Sequence, residues 1–375
     1  MSTPEPAAGD SLPAVRPILG EARWQDGQLR RVLVTGGAGF VGSTLVRRLL
    51  ADGVQVVVLD DCLRGHADSV PPGVALVRGD VTDPDTVQEA LTRFERTPDV
   101  VIHLAALILV GESVAQPDWY LRVNALGTQV VTDACLHAGV SGLVLASSAA
   151  VLACAQDGAE QLDESADIAP ESPYGESKWQ AEQTLQAASQ TGRLSTAALR
   201  LFNVAGAELA CPERHDPESH LIPLAIQAVT GQRPPLAVFG TDLPTPDGTC
   251  IRDYVHVRDV VEAMVRVARW TVAQQRTGDS AHEVLHVGSG RGHSVREVLD
   301  AVGAVLGQPV PRTLQGRRAG DVAVLVSEPS KLRVGLGITP DPDLRGMVRD
   351  AALSMGLPVP LVAQSTPQVL AQPQE

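Results

Sequence analysis

The sequence predicts an α/β protein with a doubly wound parallel sheet and a smaller mixed α/β domain. Apolar runs of strand length alternate with amphipathic helical runs from residue 31 to about residue 203. The first strand ends in a glycine-rich turn that opens a helix, and the chain after residue 206 becomes dense in Pro, Gly, Asp and His. With 375 residues, 44% of them hydrophobic, the chain can bury a core large enough for two domains.

The first predicted strand is the apolar run 32–34, and three glycines at three-residue spacing follow it: Gly36, Gly39 and Gly42. The first glycine permits a tight turn, the second lets backbone amides approach a pyrophosphate, and the third lets the next helix pack close to the strand. That helix, predicted over 41–50, directs its dipole-positive N-terminus at the same point. The pattern is typical of a Rossmann-type nucleotide site.

A second apolar strand, 54–59, ends in Asp60, a little over twenty positions after the first glycine. An acidic residue there is placed to accept hydrogen bonds from a ribose diol and would repel a 2′-phosphate. A glycine triplet alone also occurs in ordinary strand-helix turns, but here the strand, helix, second strand and acid occur together. The predicted cofactor is therefore NAD rather than NADP.

The remaining elements continue the alternation of strands and helices. Further strands are predicted at residues 74–78, 100–104, 143–146, 196–202 and 284–287. Further helices are predicted at residues 83–96, 123–137, 173–190, 221–230 and 257–270, and from the capping box of Ser294 and Glu297 to residue 306. The carboxyl ends of parallel strands meet at the ligand-binding edge of such a sheet. Residues that directly follow strands are therefore expected there: Asp80, Ala105, Ala106, Ser148 and Asn203. His103 is expected in the core.

Changes in composition divide the chain into domains. Residues 1–29 lack periodicity and are expected to be a flexible extension, and residues 358–375 a flexible tail. Residues 30–205 are predicted to form the NAD-binding domain, and 251–287 to return to it. Residues 206–250 and 288–357 are predicted to form the smaller, substrate-binding domain.

Charge and composition argue against several classes of protein. A net charge of −14 argues against nucleic acid as a partner. No run of eighteen apolar residues and no apolar N-terminal segment is present, so neither a membrane span nor a signal peptide is predicted, and a cytoplasmic location is expected. Five scattered cysteines argue against a disulfide framework and a zinc site, and no metal is predicted.

Tyr174 and Lys178 lie four residues apart and share one face of the helix that follows Ser148. A tyrosine acting as a base near neutral pH needs its pKa lowered from ~10 by about 3 units, or roughly 4 kcal/mol. A nearby ammonium and an oxidised nicotinamide both favour the phenolate. A buried tyrosine and a surface lysine on an ordinary helix would give the same spacing, but Lys178 is one of only two lysines in the chain. Ser148, Tyr174 and Lys178 are therefore the predicted catalytic residues.

Five motifs together make the chain resemble the extended short-chain dehydrogenase/reductases, the NAD-dependent epimerase/dehydratase family. They are Thr35-Gly-Gly-Ala-Gly-Phe-Val-Gly42, Ser148, Tyr174-x-x-x-Lys178, Arg200-Leu-Phe-Asn-Val-Ala-Gly206 and Gly248-Thr-Cys-Ile-Arg-Asp-Tyr-Val-His256, with His215-Asp-Pro-Glu-Ser-His-Leu-Ile-Pro223 between the last two. The resemblance covers residues 31–356 in order, and the last two motifs are much more specific than the glycine turn.

The resemblance implies roles for further residues. Cofactor contacts are implied for Gly36, Gly39, Phe40, Val41, Gly42, Asp60, Asp80, Val81, Leu104, Ala105, Ala106, Asn124, Tyr174 and Lys178. Contacts with a UDP-sugar are implied for Ser148, Tyr174, Asn203, His220, Leu221, Arg252, Arg318, Asp321 and Leu325. The implied reaction is NAD-dependent interconversion of UDP-glucose and UDP-galactose through a 4-keto sugar, and the implied assembly is a homodimer.

Departures from the family pattern keep alternatives open. Ile108 stands where many relatives have lysine, and Leu152-Ala153 replaces a frequent Tyr-Gly pair. Dehydratases of the family carry adjacent carboxylates where this chain has Ala149 and Ala150, so dehydration is disfavoured. A 4-epimerase of UDP-N-acetylglucosamine or UDP-glucuronate, and a non-catalytic NAD-binding regulator, are the remaining alternatives.

Overall fold

The computed structural model describes residues 28–153, 161–208, 211–278, 280–317 and 322–359. The strands in these ranges are β1 (Arg31–Thr35), β2 (Gln55–Asp60), β3 (Ala75–Arg78), β4 (Val100–His103), β5 (Gly142–Ser148), β6 (Ser195–Leu201), β7 (Asn203–Ala205), β8 (Leu236–Phe239), β9 (Ile251–His256), β10 (His282–Val287), β11 (Gly292–Ser294), β12 (Arg312–Gln315) and β13 (Val324–Leu325). The α-helices are α1 (Phe40–Ala51), α2 (Pro84–Thr92), α3 (Val110–Ala115), α4 (Pro117–Tyr120), α5 (Gly127–Ala138), α6 (Pro173–Ser189), α7 (Leu221–Val229), α8 (Val257–Thr277), α9 (Val295–Leu306) and α10 (Leu344–Ser354).

The central sheet has seven strands in the order β3-β2-β1-β4-β5-β6-β10. All neighbours are parallel, and Val34 pairs with Val58 of β2 on one side and with Ile102 of β4 on the other. The chain winds outward from β1 in one direction and then, from β4, in the other. This reversal opens a crevice at the carboxyl ends of β1 and β4, and it confirms the predicted Rossmann-type, doubly wound fold.

Both faces of the central sheet are covered by helices. Val32 and Val34 point into one apolar core with α1 and α8, whereas Leu33 points into the other core with α2, α5 and α6. Side chains of a strand alternate between faces, so a continuous apolar run is required where both faces are buried. The sequence pattern of β1 therefore follows directly from its central position.

Helix boundaries differ from prediction where packing rather than periodicity decides them. The predicted helix 257–270 continues as α8 to Thr277, because Val272, Ala273 and even Gln274 are buried against the sheet. The predicted helix 83–96 ends at Thr92, and Phe94 turns into the core. The predicted helix 123–137 begins instead with a π-helical turn, Leu121–Leu126, that leads into α5.

A smaller sheet is built around β9. β11 pairs with it antiparallel, and β13 and β7 pair with it in parallel. β8 and β12 form a separate parallel pair, and α7, α9 and α10 share one apolar core. Residues 251–287 were predicted to return to the large domain. α8 packs on the central sheet and β10 forms its edge strand, whereas β9 belongs to the small sheet.

Asp253 explains why β9 stays with the small sheet. Its fully buried carboxylate accepts hydrogen bonds from the backbone and side chain of Ser289, from the backbone of Gly290, and from the backbone and side chain of Ser327. The Oδ1 contacts are 2.8 and 2.7 Å, and the Oδ2 contacts run from 2.5 to 3.1 Å. Five donors on one buried charge tie three segments together, as buried carboxylates require.

Most of the predicted extension and tail lies outside the described residues. Leu29 is buried in the core, so the packed structure begins before residue 30. None of the helices in the described part of the chain combines the length and apolar composition that crossing a bilayer requires. Cys62, Cys135, Cys211 and Cys250 are free thiols, and Cys154 is outside the described ranges.

Candidate active site

A cavity of about 440 Å³ opens at the carboxyl ends of the central strands. The predicted site residues that line it are Gly36, Gly39, Phe40, Val41, Gly42, Asp60, Asp80, Val81, Leu104, Ala105, Ala106, Ser148, Tyr174, Lys178, Asn203, His220 and Leu325. Its size falls in the range of ligand-binding pockets, about 300–1,000 Å³. Folding therefore brings the predicted cofactor, catalytic and sugar residues to one place.

The glycine turn is packed too tightly for any larger residue. Gly36 has a φ of +71°, and a Cβ there would lie 2.5 Å from the backbone nitrogen of Ala105. A Cβ on Gly42 would lie 2.1 Å from the carbonyl oxygen of Gly36. Gly39 caps α1 without a side-chain hydrogen bond, so the first N–H groups of the helix have no side-chain acceptor. These groups fit the pyrophosphate of a dinucleotide.

Asp60 is fixed beside this turn. Its Oδ2 accepts a hydrogen bond from the backbone N–H of Ala38 at 2.9 Å, and its Oδ1 accepts one from Cys62 at 2.8 Å. Burial raises the pKa of Asp60, and these two hydrogen bonds oppose the shift. Each carboxylate oxygen can accept a further hydrogen bond, so the pair of oxygens suits the two hydroxyls of a ribose.

Helix α6 carries the predicted catalytic pair into the cavity. Ser172 caps the helix by accepting from the N–H of Gly175 at 3.1 Å, and Pro173 occupies its first position. A Cβ on Gly175 would lie 2.3 Å from the carbonyl oxygen of Ala150, so the helix begins in close contact with the segment that follows β5. This contact places Tyr174 beside Ser148.

Burial, rather than Lys178, dominates the pKa of Tyr174. Burial raises that pKa, and a hydrogen bond with Ser148 partly opposes the increase. The Nζ of Lys178 donates to the carbonyl oxygen of Ala146 at 2.9 Å. Burial lowers the pKa of Lys178 to about 8, and Glu182 opposes this. Burial therefore opposes the phenolate form of Tyr174 in the protein without cofactor, and the expectation that Lys178 favours that form stays a prediction.

His103 lies in the core, as expected from its position in a strand. Its Nδ1 lies 2.6 Å from the hydroxyl of Thr35, and its Nε2 lies 3.1 Å from that of Thr128. Burial, with a smaller contribution from the charge of Lys178, lowers its pKa to about 3. A neutral imidazole bonded at both nitrogens connects β4 to β1 and α5.

Asn124 lies behind the cavity rather than in its lining. Its Oδ1 accepts from the N–H of Leu107 at 2.8 Å, and its Nδ2 donates to the carbonyl oxygen of Leu107 and to Ser177, both at 2.9 Å. The side chain is buried, and these bonds connect the segment after β4 to α6. In this structure Asn124 holds Leu107, which does line the cavity, in place.

The predicted sugar-binding residues are distributed unevenly. Asn203, His220 and Leu325 line the cavity, but Leu221 and Arg252 do not. The Nη1 of Arg252 donates to the carbonyl oxygens of Ile251 and Val322 at 2.9 and 2.8 Å. Arg318 and Asp321 lie outside the described residues.

A polar chain behind Tyr174 has no signal in the sequence. The ring of Tyr120 packs edge-on against Tyr174, with centroids 6.4 Å apart. Its hydroxyl donates to Glu112 at 2.9 Å and accepts from the N–H of Leu109 at 3.0 Å, and Arg64 pairs with Glu112 at 2.7 Å. Glu112 and Tyr120 are only eight residues apart, but Arg64 and Tyr174 are distant from them in sequence, so the fold brings these three segments together.

A cluster of two carboxylates and two imidazoles also borders the cavity. Glu213, His215 and His220 line it, and Glu218 lies next to them. Burial raises the pKa of Glu213, but the two imidazoles outweigh this effect and lower it to about 2. Burial lowers the pKa of His220, but Glu213 and Glu218 outweigh it and raise the pKa to about 10.

The fold and site define a dinucleotide-dependent enzyme class, and comparison with known proteins agrees. The NAD dependent epimerase/dehydratase family matches residues 32–280. The chain belongs to this family.

A UDP-glucose 4-epimerase of Azospirillum brasilense is 41% identical over 324 residues, which are 86% of this chain and 90% of that protein. One of Streptomyces lividans is 39% identical over 86% of this chain and 94% of its own length. The crystal structure of a UDP-glucose 4-epimerase from Brucella ovis in complex with NAD has a TM-score of 0.81 and 37% identity, covering 88% of this chain and 100% of that one.

The substitution Gly42→Ala tests the close contact of α1 with the glycine turn. The added methyl group would overlap the carbonyl oxygen of Gly36, so α1 must shift. We expect the free energy of unfolding to fall by about 1–3 kcal/mol and NAD affinity, measured by titration, to fall at least about tenfold. Gly316→Ala is the matched control, because nothing lies within 4 Å of a Cβ there. Equal behaviour of the two variants would contradict the packing argument.

The pKa of Lys178 can be measured directly because the chain has only two lysines. In protein labelled with nitrogen-15 lysine, one side-chain signal should titrate near pH 8, since burial disfavours the ammonium. The protonated form is the disfavoured one, so its cost to folding is largest below pH 8 and falls as the pH rises towards 10.5. Lys178→Arg should remove this signal and Lys331→Arg should keep it. A transition near pH 8 that survives Lys178→Arg would refute the assignment.

Proposed function

We propose that the protein interconverts UDP-glucose and UDP-galactose by NAD-dependent oxidation at C4, rotation of the 4-keto sugar and re-reduction. The observation that carries this proposal is the convergence of Ser148, Tyr174 and Lys178 with the glycine turn and Asp60 in one cavity. A proton acceptor for an alcohol then lies beside the cradle for a redox cofactor. Curated relatives at about 40% identity that cover most of the chain are named UDP-glucose 4-epimerase.

Each catalytic residue has its own role in the proposed reaction. NAD, when bound, would supply the reversible hydride exchange at C4. Tyr174 takes the proton of the C4 hydroxyl and later returns it, while Ser148 holds that oxygen by a hydrogen bond. Burial raises the pKa of Tyr174, and the positive charges of Lys178 and of the oxidised cofactor together would offset this effect by favouring the phenolate. No net oxidation occurs, so the cofactor has to stay bound.

The small sheet supplies the side of the cavity that we assign to the UDP-sugar. Asn203 begins β7, His220 precedes α7, and Leu325 ends β13. We retain Leu221, Arg252, Arg318 and Asp321 as proposed substrate contacts. To reach the substrate, the side chain of Arg252 would have to leave the carbonyl oxygens that it now contacts. The assignment of 30–205 to the cofactor and of 206–250 with 288–357 to the nucleotide sugar belongs to the same proposal.

Two alternatives concern the chemistry. Dehydration needs an acid for the leaving hydroxyl, and Ala149 and Ala150 supply none. Glu112 does line the cavity, but Arg64 and Tyr120 already bind its two oxygens. A non-catalytic regulator would have no use for a lysine buried beside a tyrosine in this cavity. Both alternatives are therefore weaker than epimerisation.

Another nucleotide sugar is the closer alternative. The solved UDP-Glc/GlcNAc 4-epimerase of Campylobacter jejuni is 32% identical, with a TM-score of 0.70. Use of a 2-acetamido sugar depends on the room beside Leu325, which is half-buried against Phe202 and the segment after β5. This position separates the two substrate classes experimentally.

A cytoplasmic location and a homodimer complete the proposal. Four free thiols support a reducing compartment. Helices α5 and α6 pack side by side on one face of the central sheet, and Leu126, in the π-helical turn just before α5, is 50% exposed. We expect light scattering at micromolar concentration to give twice the chain mass of 39.4 kDa, because a second copy would cover these helices. The mass of a single chain would exclude this interface.

The substitution Tyr174→Phe tests the proposed reaction. Wild-type protein incubated with UDP-galactose and no added NAD should form UDP-glucose, and the variant should lose about 100-fold or more of that rate, because the proton acceptor is gone. Tyr254→Phe, which alters a buried tyrosine outside the cavity, is the control. A parallel assay with added NAD separates loss of cofactor from loss of chemistry. Near-normal turnover by Tyr174→Phe would refute the assigned base.

The substitution Leu325→Tyr tests which sugars are admitted. Leucine leaves intermediate room, so we expect UDP-galactose to be the better substrate, with detectable turnover of UDP-N-acetylgalactosamine. Extra bulk in a fitted site costs about 1–3 kcal/mol, so the variant should lose roughly tenfold to a hundredfold in kcat/KM for the acetamido sugar. Leu314→Tyr, on an exposed strand, is the control and should leave kcat/KM unchanged for both sugars. Equal use of both sugars by wild type would show that Leu325 is not the gate.

A further inference from the structure

The segment 213–220 carries the pattern Glu-x-His-x-x-Glu-x-His. Its four titratable side chains, Glu213, His215, Glu218 and His220, converge so that one nitrogen or oxygen from each lies within 4.8 Å of all the others. The proposed reaction uses only His220 among them. Neither the cofactor cradle nor the catalytic residues explain why the other three are brought together.

The distances within the cluster lie on both sides of the edge length of a small coordination tetrahedron. Oε1 of Glu213 lies 2.9 Å from Nδ1 of His220 and 3.2 Å from Nδ1 of His215. Oε2 of Glu218 lies 4.0 Å from Nδ1 of His215. Zinc bonds of about 2.0–2.1 Å to nitrogen and oxygen give tetrahedron edges of about 3.3–3.4 Å. All four donor atoms lie within 4.8 Å of one another, so metal binding would require the side chains to close to these values.

Burial and charge also favour a cation at this place. The side chains of Glu213 and Glu218 are only 7% and 6% exposed, and in the described part of the chain their ion pairs are with His215 and His220 alone. Nδ1 of His215 is buried and has no hydrogen-bond partner, although Glu213 is near. Two buried carboxylates and an imidazole nitrogen that lies 3.2 Å from Glu213 without a hydrogen bond form an arrangement that a metal ion would satisfy.

Surrounding contacts hold the ligands in position. Oε1 of Glu218 accepts from the backbone N–H of Ser219 and His220 at 2.7 and 2.8 Å, which leaves Oε2 available. Arg214 pairs with Asp68 at 2.7 Å, and its carbonyl oxygen lies 2.7 Å from Nε2 of His66. The hydrogen bonds to Glu218 orient that ligand, as outer contacts of metal ligands do, whereas those of Arg214 hold the segment that carries the ligands.

We propose that Glu213, His215, Glu218 and His220 bind one divalent metal ion, of which Zn²⁺ fits best. Two imidazole nitrogens and two carboxylate oxygens in a tetrahedron suit zinc rather than Mg²⁺ or Ca²⁺, which prefer six or more oxygens. Four protein ligands leave no open position, so the ion is structural and fixes the 213–220 segment against the cavity. It replaces the proton on Nδ1 of His220, and the proposed contact of His220 with the UDP-sugar is left to Nε2. The prediction of no metal considered only the cysteines, which do not take part.

Cobalt(II) is the direct probe, because its absorption reports ligand type and geometry. The full chain, stripped with a chelator, is titrated with Co²⁺ alone and then with Zn²⁺. We expect one equivalent of Co²⁺ per chain with the intense visible bands of a tetrahedral site, no thiolate charge-transfer band, and displacement by one equivalent of Zn²⁺. Octahedral bands, a thiolate band or no retained metal would overturn the proposal, and none of these readouts depends on catalysis.

Matched variants locate the ion. Glu213→Gln and His215→Asn should each weaken Co²⁺ binding by about 100-fold or more while keeping the circular dichroism spectrum. Glu89→Gln and His137→Asn, at exposed positions, should bind as wild type does. Either cluster variant suffices if the other fails to fold, and the wild-type spectrum decides the geometry without them. Retention of the tetrahedral spectrum in a folded Glu213→Gln or His215→Asn variant would refute the site.

Discussion

The close contact between the glycine turn and the end of β4 is the constraint on which the rest of the structure depends. A Cβ at Gly36 would lie 2.5 Å from Ala105, and one at Gly42 would lie 2.1 Å from Gly36. Only hydrogen at both positions lets β1, α1 and β4 meet at the point where the winding of the sheet reverses. The N-terminus of α1 and the small residues after β4 then form two sides of one cavity. The other site residues are arranged around this junction of β1, α1 and β4.

A buried polar network fixes α6 against this junction. Lys178 donates to Ala146 of β5, Ser147 donates to Glu182 at 2.5 Å, and Glu182 pairs with Arg200 of β6 at 2.8 Å. Arg200 and Glu182 are 4% and 2% exposed. Desolvation offsets most of the attraction in a buried ion pair, so its contribution to net stability is small. Its effect is positional, because these bonds hold the helix of Tyr174 at a fixed distance from the sheet.

The chain passes from the cofactor side to the small sheet within a single residue. Phe202 separates β6 of the central sheet from β7, which pairs with β9. Asn203 therefore stands where the two sheets meet, facing the same cavity as Tyr174. Asp253, in β9, gathers five hydrogen bonds that hold the small sheet together. Because β6 ends and β7 begins at this junction, one side of the cavity is formed by the central sheet and the other by the small sheet.

The sequence by itself determined the features that depend on local order along the chain. Apolar runs predicted the strands of the central sheet, and the glycine spacing with Asp60 predicted the cofactor site. The four-residue interval predicted that Tyr174 and Lys178 lie on one face of a helix. The tertiary structure alone decided what depends on contacts between distant segments. It assigned β9 to the small sheet, placed Asn124 behind Leu107, set the pKa of Tyr174 through burial, and gathered Tyr120, Glu112 and Arg64. Hydrophobic periodicity shows which face of a segment is buried, but not which other segment covers that face. The pKa shifts and ion pairs of a site depend on that covering segment, so the sequence pattern does not predict them.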